Sequence, residues 1–104
     1  MTRSVALLAL LLCSQSAVAQ AASVDRGRAY AHSHCARCHA IGRNGASPFA
    51  PAPPFRTLHE RYPVESLQEA LAEGIVTGHP RMPEFRLEPG QISDFIAFLK
   101  SLER

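Results

Sequence analysis

Residues 32–39 read "HSHCARCH", which gathers two of the chain's three cysteines and three of its five histidines into one short stretch. Within it, Cys35 and Cys38 are separated by two residues and His39 follows at once. On a helical turn, positions i, i+3 and i+4 are neighbours on one face. Two thiols and an imidazole are therefore presented together, and what they can do depends on the redox compartment, which is read from the N-terminus.

Arg3 is followed by the apolar run "VALLALLL" (5–12) and by "SAVAQAA" (16–22). A charged start, a short apolar stretch and a small-residue cleavage site make a secretory signal. It spans residues 1–21, with cleavage after Ala19 or Ala21. The apolar run is shorter than the roughly 20 residues that a bilayer core demands, so a membrane-spanning helix is disfavoured. A lipid anchor on Cys13 is disfavoured as well, because Leu12 stands where such signals want a small residue.

Removal of the signal leaves Cys35 and Cys38 in an oxidising compartment, where an unused thiol rarely persists. Only Arg3 is lost from the formal charge, which falls from +2 to about +1. Such a balance argues against nucleic acid as a partner. The remaining chain, residues 22–104, is one small domain of a size at which an apolar core alone contributes only a few kcal/mol, so a disulfide, a metal or a cofactor is expected to help. Tryptophan is absent, and a bound group can supply the large flat apolar body at the centre.

The pattern along the chain is helical throughout. Ser23 caps a helix predicted over 24–39, with Asp25 in its first turn. Val24, Gly27, Ala31, His34, Cys35 and Cys38 recur on one face. The segment "AIGRNGASPFAPAPP" (40–54) is a long Gly- and Pro-rich loop of the kind that wraps something. "FRTLHERY" (55–62) forms a short helix with Phe55 and Leu58 on its apolar side. Pro63 opens a further helix carrying Val64, Leu67, Ala70, Leu71 and Ile75, stopped by Gly74 and Gly78. "HPRMPEF" (79–85) cannot continue it, because Pro80 and Pro83 remove donors and force extended backbone before them. Pro89 opens the last helix, with Ile92, Phe95, Ile96, Leu99 and Leu102 on one stripe and Lys100 and Arg104 near its end.

The spacing C-x-x-C-H has an established use in covalent haem attachment. Adjacent vinyl groups of one haem alkylate the two thiols, and the histidine points at the iron. Two other chemistries compete. Cys35-Ala-Arg-Cys38 could be a thiol-disulfide site activated by Arg37, against which stand the missing βαβ pattern and the histidine after the second cysteine. Zinc could be held by Cys35, Cys38 and two histidines, but ligation from the adjacent Cys38 and His39 strains tetrahedral geometry.

From "CARCH" (35–39) through "APPF" (52–55) to "GHPRMPEF" (78–85) and the last helix, the chain resembles a small class I c-type cytochrome of the monohaem, bacterial periplasmic type. The resemblance implies an all-α fold of three main helices plus a short one around a single covalent haem c. It implies histidine and methionine as axial ligands, a pair that raises the reduction potential. His39 takes the first position. Of the two methionines, Met1 leaves with the signal, so if the second ligand is methionine it is Met82; His79 is the nearest alternative. A lone methionine in a core is otherwise filler.

A ligating histidine needs its other ring nitrogen held by an acceptor, which in this family is a proline carbonyl in the loop after the motif. Pro51, Pro53 and Pro54 are available. Pro53 is favoured because Phe55 then becomes the apolar residue covering the haem. Gly27 and Tyr30 resemble the family's contact between first and last helices, where an aromatic such as Phe95 or Phe98 approaches closely.

The implied function is one-electron transfer in a periplasmic chain, with redox proteins as partners and no small-molecule substrate, hence not an enzyme. Arg28, Arg37, Arg43, Arg56, Arg81 and Arg86 are candidates for the docking surface. A haem subunit of a periplasmic dehydrogenase or oxidase, or a haem protein acting on peroxide or binding gases, are the alternatives. After signal cleavage the chain does not span a membrane.

Overall fold

The computed structural model describes residues 20–76 and 81–104. Three α-helices, α1 (Val24–His34), α2 (Leu67–Glu73) and α3 (Pro89–Ser101), are joined by a 3-10 helix at Phe55–Glu60 and a 3-10 turn at Val64–Ser66 that runs into α2. No strand is present among the described residues, and no helix among them is long and apolar enough to cross a membrane. The domain is all-α. The expected signal segment falls on residues 1–19 and the two positions after them; residues 1–19, including Cys13, lie outside the described residues, as does His79.

Ser23 starts α1 in extended backbone, with its hydroxyl accepting from the Arg26 N–H at 3.2 Å. Its own N–H donates to Asp94 on α3 at 2.8 Å, which sets the start of the first helix against the last. Arg26 holds the same carboxylate at 2.8 Å. At the crossing, a methyl group on Gly27 would lie 2.0 Å from the Asp94 carbonyl oxygen and 2.7 Å from Phe98 Cβ. Only a hydrogen fits there. Tyr30, one turn further on, meets Phe95 edge-on at 6.0 Å between ring centres.

The last helix is opened by Pro89 and a reciprocal cap in which the Glu88 side chain accepts from the Gln91 backbone and the Gln91 side chain accepts from the Glu88 N–H. Its Phe95, Ile96, Phe98 and Leu99 are buried together with Ala31, Phe55, Leu58, Val64, Leu71 and Leu87. Phe98 and Leu99 are each 1% exposed, and complete burial of such side chains contributes about 1.5–3 kcal/mol apiece.

The first helix is shorter than the sequence suggests. Regular structure ends at His34, because the N–H groups of Cys35 and Ala36 both reach the Ala31 carbonyl, at 2.8 and 3.0 Å. Sharing one acceptor slips the ladder by a residue. A second turn then closes on the Cys35 carbonyl, which accepts from Cys38 at 3.2 Å and His39 at 3.0 Å. Pro63 likewise precedes its helix, in extended backbone, and Val64–Ser66 coil as a 3-10 turn before α2 begins. Gly74 ends α2 at φ +104°, leaving Ile75 beyond it.

Candidate functional site

The loop after the motif folds back on it. The Phe49 N–H donates to the Cys38 carbonyl at 3.1 Å, Phe55 to Ala40 at 2.9 Å, and the Ala40 N–H to the Ser47 hydroxyl at 3.0 Å. These bonds bring the proline segment to His39. Its Nδ1 lies 2.8 Å from the Pro53 carbonyl oxygen. A carbonyl can only accept, so Nδ1 carries a proton, and in the neutral ring that tautomer puts the lone pair on Nε2. The Phe55 ring packs on the imidazole at 4.8 Å between centres, and Phe95 meets Phe55 edge-on at 5.7 Å.

Cys35 and Cys38 are both half-buried and unbridged. Burial pushes the Cys35 thiol up to about 11, which withholds the thiolate that disulfide exchange at neutral pH requires. That environment does not favour the thiol-disulfide reading. Among the described residues, no three His, Cys, Asp or Glu side chains converge as a metal site, so the zinc reading finds no ligand set there. His32, His34 and His59 are exposed. The His34 ring lies tilted against Tyr30 at 4.3 Å and edge-on to Phe85 at 6.1 Å between centres.

Met82 is half-buried on the excursion between α2 and α3. The neck of that excursion is tied by the Ile75 N–H to the Phe85 carbonyl and the Leu87 N–H to the Leu71 carbonyl, each at 2.9 Å, and by Arg86 to the Glu73 carbonyl at 2.9 Å. Arg81, next to Met82, lies over the Phe49 ring at 5.3 Å. The methionine segment thereby meets the loop that returns to His39. Sequence reasoning missed this contact and the Ser47 bond to Ala40; a serine and a phenylalanine inside a Gly- and Pro-rich loop carry no signal that distinguishes them from filler.

The residues gathered here fit a haem. Two neighbouring thiols offer attachment, one imidazole nitrogen stays available, and Tyr30, Cys35, Ile41, Ile75 and Phe85 are apolar or aromatic groups packed on the core yet only partly covered. A flat apolar group is what would cover them.

Comparison with known proteins agrees. Residues 24–103 match the family model for cytochrome c. The chain is also 34% identical over 95 residues to cytochrome c-552 of Bradyrhizobium diazoefficiens, an alignment covering 91% of this chain and 89% of that protein. The helical fold, the C-x-x-C-H turn and these matches together show that the chain belongs to the cytochrome c family, electron-transport proteins whose cofactor is a covalently bound, iron-containing haem c.

Proposed function

We propose that the chain is a periplasmic one-electron carrier, and not a catalyst, whose haem is joined to Cys35 and Cys38 and whose iron is held by His39 and Met82. When bound, the haem supplies the Fe(III)/Fe(II) couple. The polypeptide has three tasks: to fix the two axial groups, to exclude water and to present a surface to redox partners.

The observation that carries this reading is the bond from His39 Nδ1 to the Pro53 carbonyl. It orients the ring, supports the tautomer in which Nε2 is the one free to ligate, and would raise that nitrogen's basicity. Met82 is supported as the opposite ligand by its position on a segment tied at the neck and braced against Phe49. A closed pair of axial groups suits a carrier, since little besides the electron has to move. The relative's name, cytochrome c-552, is consistent with that role.

The signal expected at 1–21 supports export to the periplasm. For docking, the candidate arginines divide by their engagements. Arg28 pairs with Asp25 and lies over Phe98, Arg43 holds the Ser101 carbonyl, and Arg86 holds the Glu73 carbonyl. Arg37, exposed within the motif itself, is the side chain best placed to meet an acidic partner.

Production in a host with haem-attachment machinery, followed by a haem-stained denaturing gel and a redox titration, tests the proposal. A stained band and a reversible one-electron transition are expected. A colourless protein, or a ferrous form that binds carbon monoxide as fast as an open haem, would overturn it.

A further inference from the structure

Met82 lies inside the loop that the bond from the Ile75 N–H to the Phe85 carbonyl closes at its base. A tie at the base does not by itself hold the tip. Arg81, the immediate neighbour of Met82, has its guanidinium carbon 5.3 Å from the centre of the Phe49 ring, inside the roughly 6 Å over which a cation is drawn to an aromatic face. Pro83, on the other side, narrows the backbone range of Met82, which leaves little freedom to uncouple it from Arg81.

Phe49 is a fixed post. Its N–H donates to the Cys38 carbonyl at 3.1 Å, and its own carbonyl accepts from the Ala52 N–H at 2.9 Å. Cys38 is the second thiol of the attachment motif and adjoins His39. The Phe49 ring is half-buried while Arg81 is exposed, and no ion pair engages Arg81 among the described residues. The guanidinium is therefore held by the face of the ring, and the methionine side of the site is fastened to backbone that is itself bonded to the histidine side.

We propose that Arg81 and Phe49 form a clasp that holds Met82 at the iron and keeps small external ligands from that axial place. Both act as positioning residues, and the inference rests on Met82 being the second ligand. Opening the clasp frees the tip of the loop while its base stays tied. Met82 then spends more time off the iron, and a neutral nitrogen base can take its place.

The test is titration of the ferric, haem-loaded full chain with imidazole, following loss of the sulfur-to-iron charge-transfer band. A cation over an exposed ring shifts an equilibrium by about two- to fivefold, so Phe49→Leu and Arg81→Gln should each raise imidazole affinity by about that factor. The doubly substituted chain should gain no more than either alone, because the same contact is missing in all three. Phe49→Tyr, which keeps an aromatic face, should bind imidazole as the parent does. Parent-like affinity in both Phe49→Leu and Arg81→Gln overturns the proposal, as does a double variant whose gain is the product of the two single ones. A Phe49→Tyr chain that binds imidazole as tightly as Phe49→Leu does the same, since the ring's face is then irrelevant. A parent that lacks the band removes Met82 from the iron and the clasp with it, whereas a parent that shows the band beside unresponsive variants overturns the clasp alone. Should Phe49→Leu fail to take up haem, Arg81→Gln, at an exposed position, decides by itself.

Discussion

His39 reaches across 14 residues of chain to place its Nδ1 2.8 Å from the carbonyl oxygen of Pro53. The imidazole is thus oriented by loop backbone rather than by the helix that precedes it. Since the acceptor belongs to the main chain, changing the proline side chain loosens the bond without deleting it.

Pro53→Gly should therefore retain covalent haem while raising the reduction potential, because a weaker bond to Nδ1 makes the imidazole less basic and favours the ferric state less. Stability should fall by about 0.4–1 kcal/mol from added freedom in the unfolded chain. Voltammetry and denaturant unfolding measure the two effects. A lowered potential would contradict the assigned hydrogen bond.

Gly27→Ala should destabilise the domain by about 1–3 kcal/mol or more, since the added methyl meets a backbone carbonyl that cannot rotate away. The melting temperature should drop by roughly 4–8 °C for each kcal/mol lost, with the haem spectrum unchanged. An unaltered melting temperature would mean that α1 and α3 do not cross as described.

Much of this architecture was legible in the residues, and the exceptions have physical causes. Pro89 and the stripe from Ile92 to Leu102 define α3 locally, because a fixed φ starts the helix and burial of one face sustains it. Nothing in "HSHCARCH" marks the end of α1: no glycine or proline intervenes. The break comes from convergence on the Ala31 carbonyl and from bonds to Phe49 and Phe55 far along the chain. Pro53 could be preferred over Pro51 and Pro54 only through its place relative to Phe55. The contact of Arg81 with Phe49 joins two loops distant in sequence, and no periodicity encodes such a meeting.

Asp94 ties Ser23 and Arg26 to α3, and the Arg26 side-chain hydrogen bond, followed by the Ser23 N–H, holds its carboxyl below the ordinary aspartate value of 3.8. A depressed carboxylate contributes stability that is complete above its unfolded value and is lost as pH falls through the lower folded one. Stability should accordingly decline below about pH 4. Asp94→Asn should be less stable at neutral pH and show a flatter acid limb. An identical acid limb in unfolding curves for parent and variant would remove Asp94 from this role.

Replacing both Cys35 and Cys38 by alanine should abolish haem staining on a denaturing gel. It should also leave a largely unfolded chain, as a domain this small has little core to spare. Far-ultraviolet circular dichroism of the purified variant checks this. Native-like helicity without haem would show that the core closes without its cofactor.

The pairing of His39 with Met82 is tested most directly by the reduction potential of Met82→His, measured beside the parent in one buffer. The account predicts that the variant keeps its covalent haem, loses the sulfur-to-iron charge-transfer band of the ferric parent and has a clearly lower potential. An unchanged band and potential would show that the iron takes its second ligand from elsewhere.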